Sequence, residues 1–167
     1  MGSQKYLKAE RTAISFLEKH KISEPFVNVF ELAKSEGILL NFATFNKKFE
    51  RVAGFFDNDT KTIFVNKDQA TNRQTFTIAH ELGHFLLGHE PNRYGVHMRW
   101  PEPNQEKSEI EIEADVFAAN LLVPREMIER IKRKYKLCDN DVDLLARIFG
   151  VSLSMMTFRL QWLRQNQ

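Results

Sequence analysis

Apolar and polar positions change their period several times along the chain. Residues 5–20 carry Leu7, Ile14 and Leu17 at near-helical spacing, the pattern of an amphipathic helix. Pro25 opens a second helical stretch that ends near Gly37, because proline suits a first turn and glycine a C-terminal stop. The pattern then shortens. Stretches 38–43, 51–56 and 62–66 are runs rich in β-branched and aromatic residues, which predicts strands. Asp57-Asn58-Asp59-Thr60 between the last two predicts a hairpin turn. Helical spacing returns over 72–89, then over 108–122, 124–136, 141–149 and 152–165, with Pro124 in a first turn and Gly150 at a helix end. A proline-bearing loop fills 90–107. The expectation is an α+β fold: a small antiparallel or mixed sheet of about three strands, packed with the 72–89 helix and several others. Residues 4–136 form the expected core, and 137–165 a helix-turn-helix-like hairpin packed on the same domain.

Composition narrows the class. The 167 residues suffice for one domain with a hydrophobic core, and 43% hydrophobic with 28% charged residues is ordinary for a globular protein. A net charge of +2 is too small to select nucleic acid or an anionic membrane. No apolar run approaches the ~20 residues of a membrane span. Cys138 is the single cysteine, which rules out an intrachain disulfide. With no apolar targeting segment at the N-terminus, the expected location is the reducing cytoplasm.

The chemistry concentrates in His80-Glu81-Leu82-Gly83-His84, an HExxH motif. Two histidines four residues apart on a helix lie about 40° apart around its axis and about 6 Å apart along it, so both rings reach one ion. Neutral imidazole is a good zinc ligand. Glu81, one step round the helix, is placed to reach a water at the metal rather than the metal itself. Phe76, Ile78, Ala79, Leu82, Phe85, Leu86 and Leu87 cover nearly the whole circumference, so the helix is a buried one. Polar groups inside it need compensation, which a metal ion supplies.

A catalytic zinc needs a third protein ligand and an open position. His89 is nearest in sequence. The longer HExxHxxGxxH pattern would need glycine and histidine where Leu87 and Glu90 stand, so His89 is assigned to the helix end, where imidazole suits the dipole. The stronger candidate is Glu111. On a helical wheel Glu111, Ala114, Asp115, Ala118 and Leu122 share one face, while Glu109, Glu113 and Asn120 fall on the opposite, solvated side. Glu113 is the alternative to Glu111. The small alanines would allow a close approach to the HExxH helix, and Asp115 is placed to orient a ligating histidine.

These motifs together resemble the ImmA/IrrE family of zinc metallopeptidases: HELGH after Phe76-Thr77-Ile78-Ala79, then Glu111-x-x-Ala114-Asp115-x-Phe117-Ala118, then Leu121-Leu122-Val123-Pro124. Ile63-x-Val65-Asn66 and the Arg73-Gln74 lead into the helix join the match, which covers roughly 25–165. The Glu-x-x-x-Asp spacing is also similar to that of thermolysin-like gluzincins. The resemblance implies His80, His84 and Glu111 as ligands of one zinc per chain, Glu81 as general base and Asp115 as a partner of a ligating histidine. Many relatives have asparagine at the Asp115 position, and either residue can accept the bond. The resemblance further implies a bacterial, phage or mobile-element protein acting on a helix-turn-helix repressor, cleaving or displacing it so that a silenced operon turns on. Manganese or iron also suits two histidines and a carboxylate.

Three further readings keep two sides each. Ile63, Val65 and Asn66 lie either on an edge strand that an extended substrate pairs with, or on an ordinary sheet strand. Tyr94 and His97 are either oxyanion donors or parts of an exposed loop. Residues 152–164, with Ser154, Thr157, Arg159, Gln161 and Arg164, are either a DNA recognition helix or part of a hairpin that caps the core or docks a repressor; the second is favoured. The rival to a peptidase is thus a DNA- or repressor-binding regulatory module with a structural zinc. Closed structural sites usually hold four ligands, often cysteines, and Cys138 lies outside both motifs.

Overall fold

The computed structural model describes residues 6–90 and 107–166 in full, and 96–98 as a backbone strand. The helices are α1 (Leu7–Lys19), α2 (Val29–Ser35), α3 (Thr71–Leu87), α4 (Glu109–Leu122), α5 (Arg125–Tyr135), α6 (Val142–Phe149) and α7 (Leu153–Gln165). The strands are β1 (Leu39–Ala43), β2 (Gly54–Asp57), β3 (Thr62–Asn66) and β4 (Val96–Met98), with a single 3-10 turn at Lys47–Phe49. The α+β architecture follows the hydrophobic pattern closely. Asn28 caps α2 by accepting from the Phe30 and Glu31 amides. Asp57 closes the β2–β3 turn: its carboxylate accepts from the Asp59 amide at 3.1 Å and the Thr60 hydroxyl at 2.7 Å.

The sheet is mixed, in the order β1-β3-β2-β4. β1 runs parallel to β3, and β2 runs antiparallel to both β3 and β4. Two sequence readings change here. The stretch read as a loop at 90–107 contributes the fourth strand, in register Phe56 to His97. The edge-strand reading of Ile63, Val65 and Asn66 fails: β3 is interior, its backbone bonded to β1 on one side and β2 on the other, which leaves no edge for a substrate to join. All three side chains are buried, and Asn66 spends its amide on the Glu50 and Val52 carbonyls.

Helix α3 lies between the sheet and a helical layer, touching β2 and β3 on one side and α1 and α4 on the other. Gly54 makes the sheet contact possible. A Cβ there would stand 2.5 Å from both the Phe64 carbonyl oxygen and the Thr77 methyl. At the far end, Lys8 of α1 donates to the Leu87 carbonyl at 3.0 Å, satisfying an acceptor that the end of α3 leaves open.

The hydrophobic core runs continuously from Ala9 on α1 to Leu163 on α7. Gly150, at φ +66, turns the chain between α6 and α7 in the left-handed conformation that glycine adopts without penalty. Arg159, proposed above as a phosphate contact, is 4% exposed. Its guanidinium donates to the Val123 carbonyl at 2.9 Å and the Asn120 side chain at 2.7 Å. Arg164 is held by Asp139 at 2.6 Å. Outward, α7 shows Leu153 and Phe158 beside Ser154, Gln161 and Arg164.

Candidate metal centre

The middle of α3 is buried from Ile78 to His84, as a helix apolar on every side must be. The HExxH spacing stacks His80 and His84 one turn apart, with their Nε2 atoms 3.1 Å from each other. Helix α4 brings Glu111 to the same point. One carboxylate oxygen is 3.2 Å from His80 Nε2 and the other 3.2 Å from His84 Nε2. Ligands at a tetrahedral zinc, at the usual 2.0–2.1 Å, are separated by about 3.3–3.4 Å. The three residues therefore fit an ion with little movement, and His80, His84 and Glu111 form a metal-competent cluster among the described residues.

Close helix packing makes this convergence possible. Gly83 sits where a Cβ would be 3.0 Å from the Phe117 ring and 3.3 Å from Ala114 Cα. Small residues on both helices let the backbones approach, as the alanine pattern of α4 predicts.

The outward nitrogens are also held. His80 Nδ1 is 2.9 Å from an Asp115 oxygen, and Lys107 bonds the other oxygen of that carboxylate. His84 Nδ1 is 2.9 Å from His89 Nδ1, and His89 Nε2 is 2.9 Å from a Glu113 oxygen. The chain His84–His89–Glu113 is absent from the sequence reading, which gave His89 to the helix dipole and Glu113 to solvent. Gly88 supplies the missing turn. At φ +70 it folds the chain back, so that the His89 amide reaches the His84 carbonyl at 3.0 Å and its ring returns to the site. A glycine followed by a histidine just past the motif was the available signal. Asn120, also placed on the solvated side, is 2% exposed and receives Arg159. A wheel assumes one buried face, whereas α4 is covered by α1 and α3 on one side and reached by Arg159 of α7 on another.

Electrostatics match this wiring. Burial pushes the His80 pKa down, but hydrogen bonds to Asp115 and Glu111, with the charge of Glu81, carry it up to about 9. Burial raises the Glu111 carboxyl, and the hydrogen bonds from His80 and His84 more than reverse this, holding it well below the usual range. The metal-free cluster is thus an imidazolium–carboxylate pair, and a cation can replace the shared proton. Glu81 is fully buried beside the cluster. Tyr94 lies outside the described residues. His97 is placed only as backbone on β4, and its side chain also lies outside them.

The profile of the IrrE N-terminal-like domain, a peptidase family, matches residues 33–161. Among curated proteins, the radiation response metalloprotease IrrE of Deinococcus deserti is 29% identical over 126 residues, covering 75% of this chain and 43% of the relative. Its namesake in Deinococcus radiodurans is 31% identical over 108 residues, covering 64% of this chain and 33% of the relative. The chain thus spans less than half the length of the curated relatives it matches. Among solved structures, a transcriptional regulator of Mycobacterium tuberculosis shares the fold with a TM-score of 0.58 at 15% identity, over 89% of this chain and 44% of that one.

Proposed function

The chain belongs to the IrrE N-terminal-like family of metallopeptidases, and on that premise we propose that it is a zinc-dependent endopeptidase. The observation that carries the reading is the meeting of His80, His84 and Glu111 from two helices, with Glu81 beside them. His80, His84 and Glu111 would hold a zinc ion, which would supply a bound water of pKa lowered towards about 7 and a Lewis acid for a peptide carbonyl. Glu81 takes the proton of the attacking water and delivers it to the leaving amine. Asp115 and His89 keep the two rings turned so that each Nε2 faces inward. Zinc is preferred over manganese or iron because two imidazoles and one carboxylate, tetrahedrally spaced, are its usual catalytic set.

The substrate in this reading is a protein, specifically a helix-turn-helix repressor whose removal derepresses a phage, mobile-element or stress operon. The family resemblance supports the repressor, and the radiation-response naming of two relatives supports only the stress setting. Residues 4–136 supply the peptidase core and 137–165 the helical hairpin, in the cytoplasm. No described helix is long and apolar enough to cross a membrane. In the competing regulatory-module reading, Arg159 is committed to Val123 and Asn120, while Ser154, Gln161 and Arg164 stay exposed on α7.

The test is elemental analysis of protein purified without a nickel column, beside cleavage of candidate repressors. One zinc per chain in wild type, lost in Glu111→Ala and kept in Glu113→Ala, is expected. Glu81→Gln keeps the zinc and loses about 100-fold or more of the cleavage rate, the usual contribution of a general base. Unchanged cleavage in Glu81→Gln, or a folded wild type with no stoichiometric metal, overturns the proposal.

A further inference from the structure

A cleft of ≈640 Å³ opens beside the metal centre, between the start of α3, one flank of α4 and α7. Phe76 and Asp115 line it, and both touch His80: Asp115 by its hydrogen bond, Phe76 with ring centroids 6.4 Å apart. The cleft therefore adjoins the outward, Nδ1 side of His80. Its walls are two apolar stripes at helical spacing, Ile112, Val116 and Ala119 on α4 and Met155, Phe158 and Trp162 on α7. Phe158 is 71% exposed, an open position for a large apolar ring.

Among the described residues the lining holds three cations, Arg73, Lys107 and Arg159, against one carboxylate, Asp115, which Lys107 already bonds. Arg159 is the informative one. Its guanidinium is buried over the Trp162 ring, 5.0 Å from the centroid, and the acceptors it meets at Val123 and Asn120 are neutral. Burial, with the charge of Arg125 and against the opposing charge of Glu10, pushes its pKa down to about 10. A buried charge held by neutral acceptors gains most from an anion brought into contact with it.

We propose that this cleft is a specificity subsite that takes an acidic residue, next to an apolar one, from the polypeptide substrate. The inference rests on the peptidase reading. Asn120, which receives Arg159, lies nine positions beyond Glu111 on α4, or about 13.5 Å along the helix. An extended peptide covers about 3.3–3.6 Å per residue, so the acidic residue sits about four residues from the bond that is cut.

Binding is measured by fluorescence anisotropy on the zinc-loaded full chain carrying Glu81→Gln, which separates binding from turnover. The probes are fluorescein-labelled dodecapeptides with a central Asp-Leu or Asn-Leu. The Asp peptide is expected to bind about tenfold more tightly, the scale of a hydrogen bond to a buried charge. Arg159→Gln removes the difference. If that variant does not fold, Ser154→Asp serves instead: Ser154 is exposed in the first turn of α7, where an added carboxylate is tolerated and repels the Asp peptide. Phe158→Ala weakens both peptides alike. Equal binding of Asp and Asn peptides, or a preference that survives Ser154→Asp, overturns the inference. In parallel, wild type is given a degenerate dodecapeptide mixture and the products are sequenced by mass spectrometry. Cleavage without acidic enrichment about four residues from the cut overturns the subsite and leaves the peptidase reading standing. Asp-selective binding without any cleavage leaves the cleft a binding site for acidic peptides and overturns the peptidase reading, and with it the role as a specificity subsite.

Discussion

Gly83 and Ala114 face each other across the α3–α4 contact so closely that a Cβ on Gly83 would stand 3.3 Å from the Ala114 Cα and carbonyl oxygen. In an isolated helix, Gly83→Ala would gain about 1 kcal/mol from propensity. Here the added methyl overpacks the contact, at a typical cost of about 1–3 kcal/mol. It also pushes Glu111 away from the histidines. The expected outcome in thermal unfolding is a lower Tm, with a weaker zinc affinity in chelator competition. A Tm above wild type would show that α4 adjusts freely.

Gly54→Ala probes the opposite side of α3. The added carbon would meet a strand carbonyl and the Thr77 methyl at once, and the carbonyl is fixed in the sheet. A loss of about 3 kcal/mol, the upper end for overpacking, is expected. At about 2–4 °C per kcal/mol for a chain of this size, that is a fall of about 6–12 °C in Tm. A loss under one degree would refute the tight sheet–helix contact.

His89→Ala and Glu113→Gln test the chain behind His84. Both residues act by fixing a ring rather than by touching the ion, so zinc affinity is expected to fall about 10–100-fold while the far-UV spectrum stays unchanged. His89→Ala should show the larger effect, because it removes the direct contact at 2.9 Å. Wild-type affinity in both variants would reduce the chain to a surface contact.

The His80 pKa of about 9 sets a pH dependence. Zinc needs the neutral imidazole, so at pH 7 its binding releases a proton, and apparent affinity rises up to about tenfold per pH unit until pH 9. Calorimetry in buffers of different ionisation enthalpy reads that proton. The metal-free protein behaves in the opposite way. The raised His80 pKa contributes stability that is complete below 6.5 and lost as pH climbs through 9. The lowered Glu111 pKa contributes stability that is present above 4.5 and lost as pH falls. Chelator-treated protein should therefore lose Tm between pH 6.5 and 9, while zinc-loaded protein does not.

The sequence carries the other helices closely, because buried faces and glycines mark them independently, but α2 opens at Val29 behind its Asn28 cap and not at Pro25. Glu111 was legible because its wheel neighbours Ala114 and Ala118 are small and point the same way. What escaped depends on pairing between distant segments. Nothing in Thr62–Asn66 says that β1 will lie parallel beside it and close its free edge, since a strand's neighbours are set by topology and not by its own period. Glu113 and Asn120 were given to solvent and Arg159 to an outward polar face for one reason: each is polar on a helix with more than one covered side. Their partners lie 24 to 39 residues away in the chain, beyond the reach of any local pattern.

The ligand set is divided between two helices, with both histidines on α3 and the carboxylate on α4. The geometry that suits a metal and the mechanical integrity of one helix–helix seam are therefore a single quantity. A tug that slides α4 by one turn, about 5.4 Å, leaves two ligands where three stood. Whatever grips α4, even far from the cleft, holds the safety catch of that cluster.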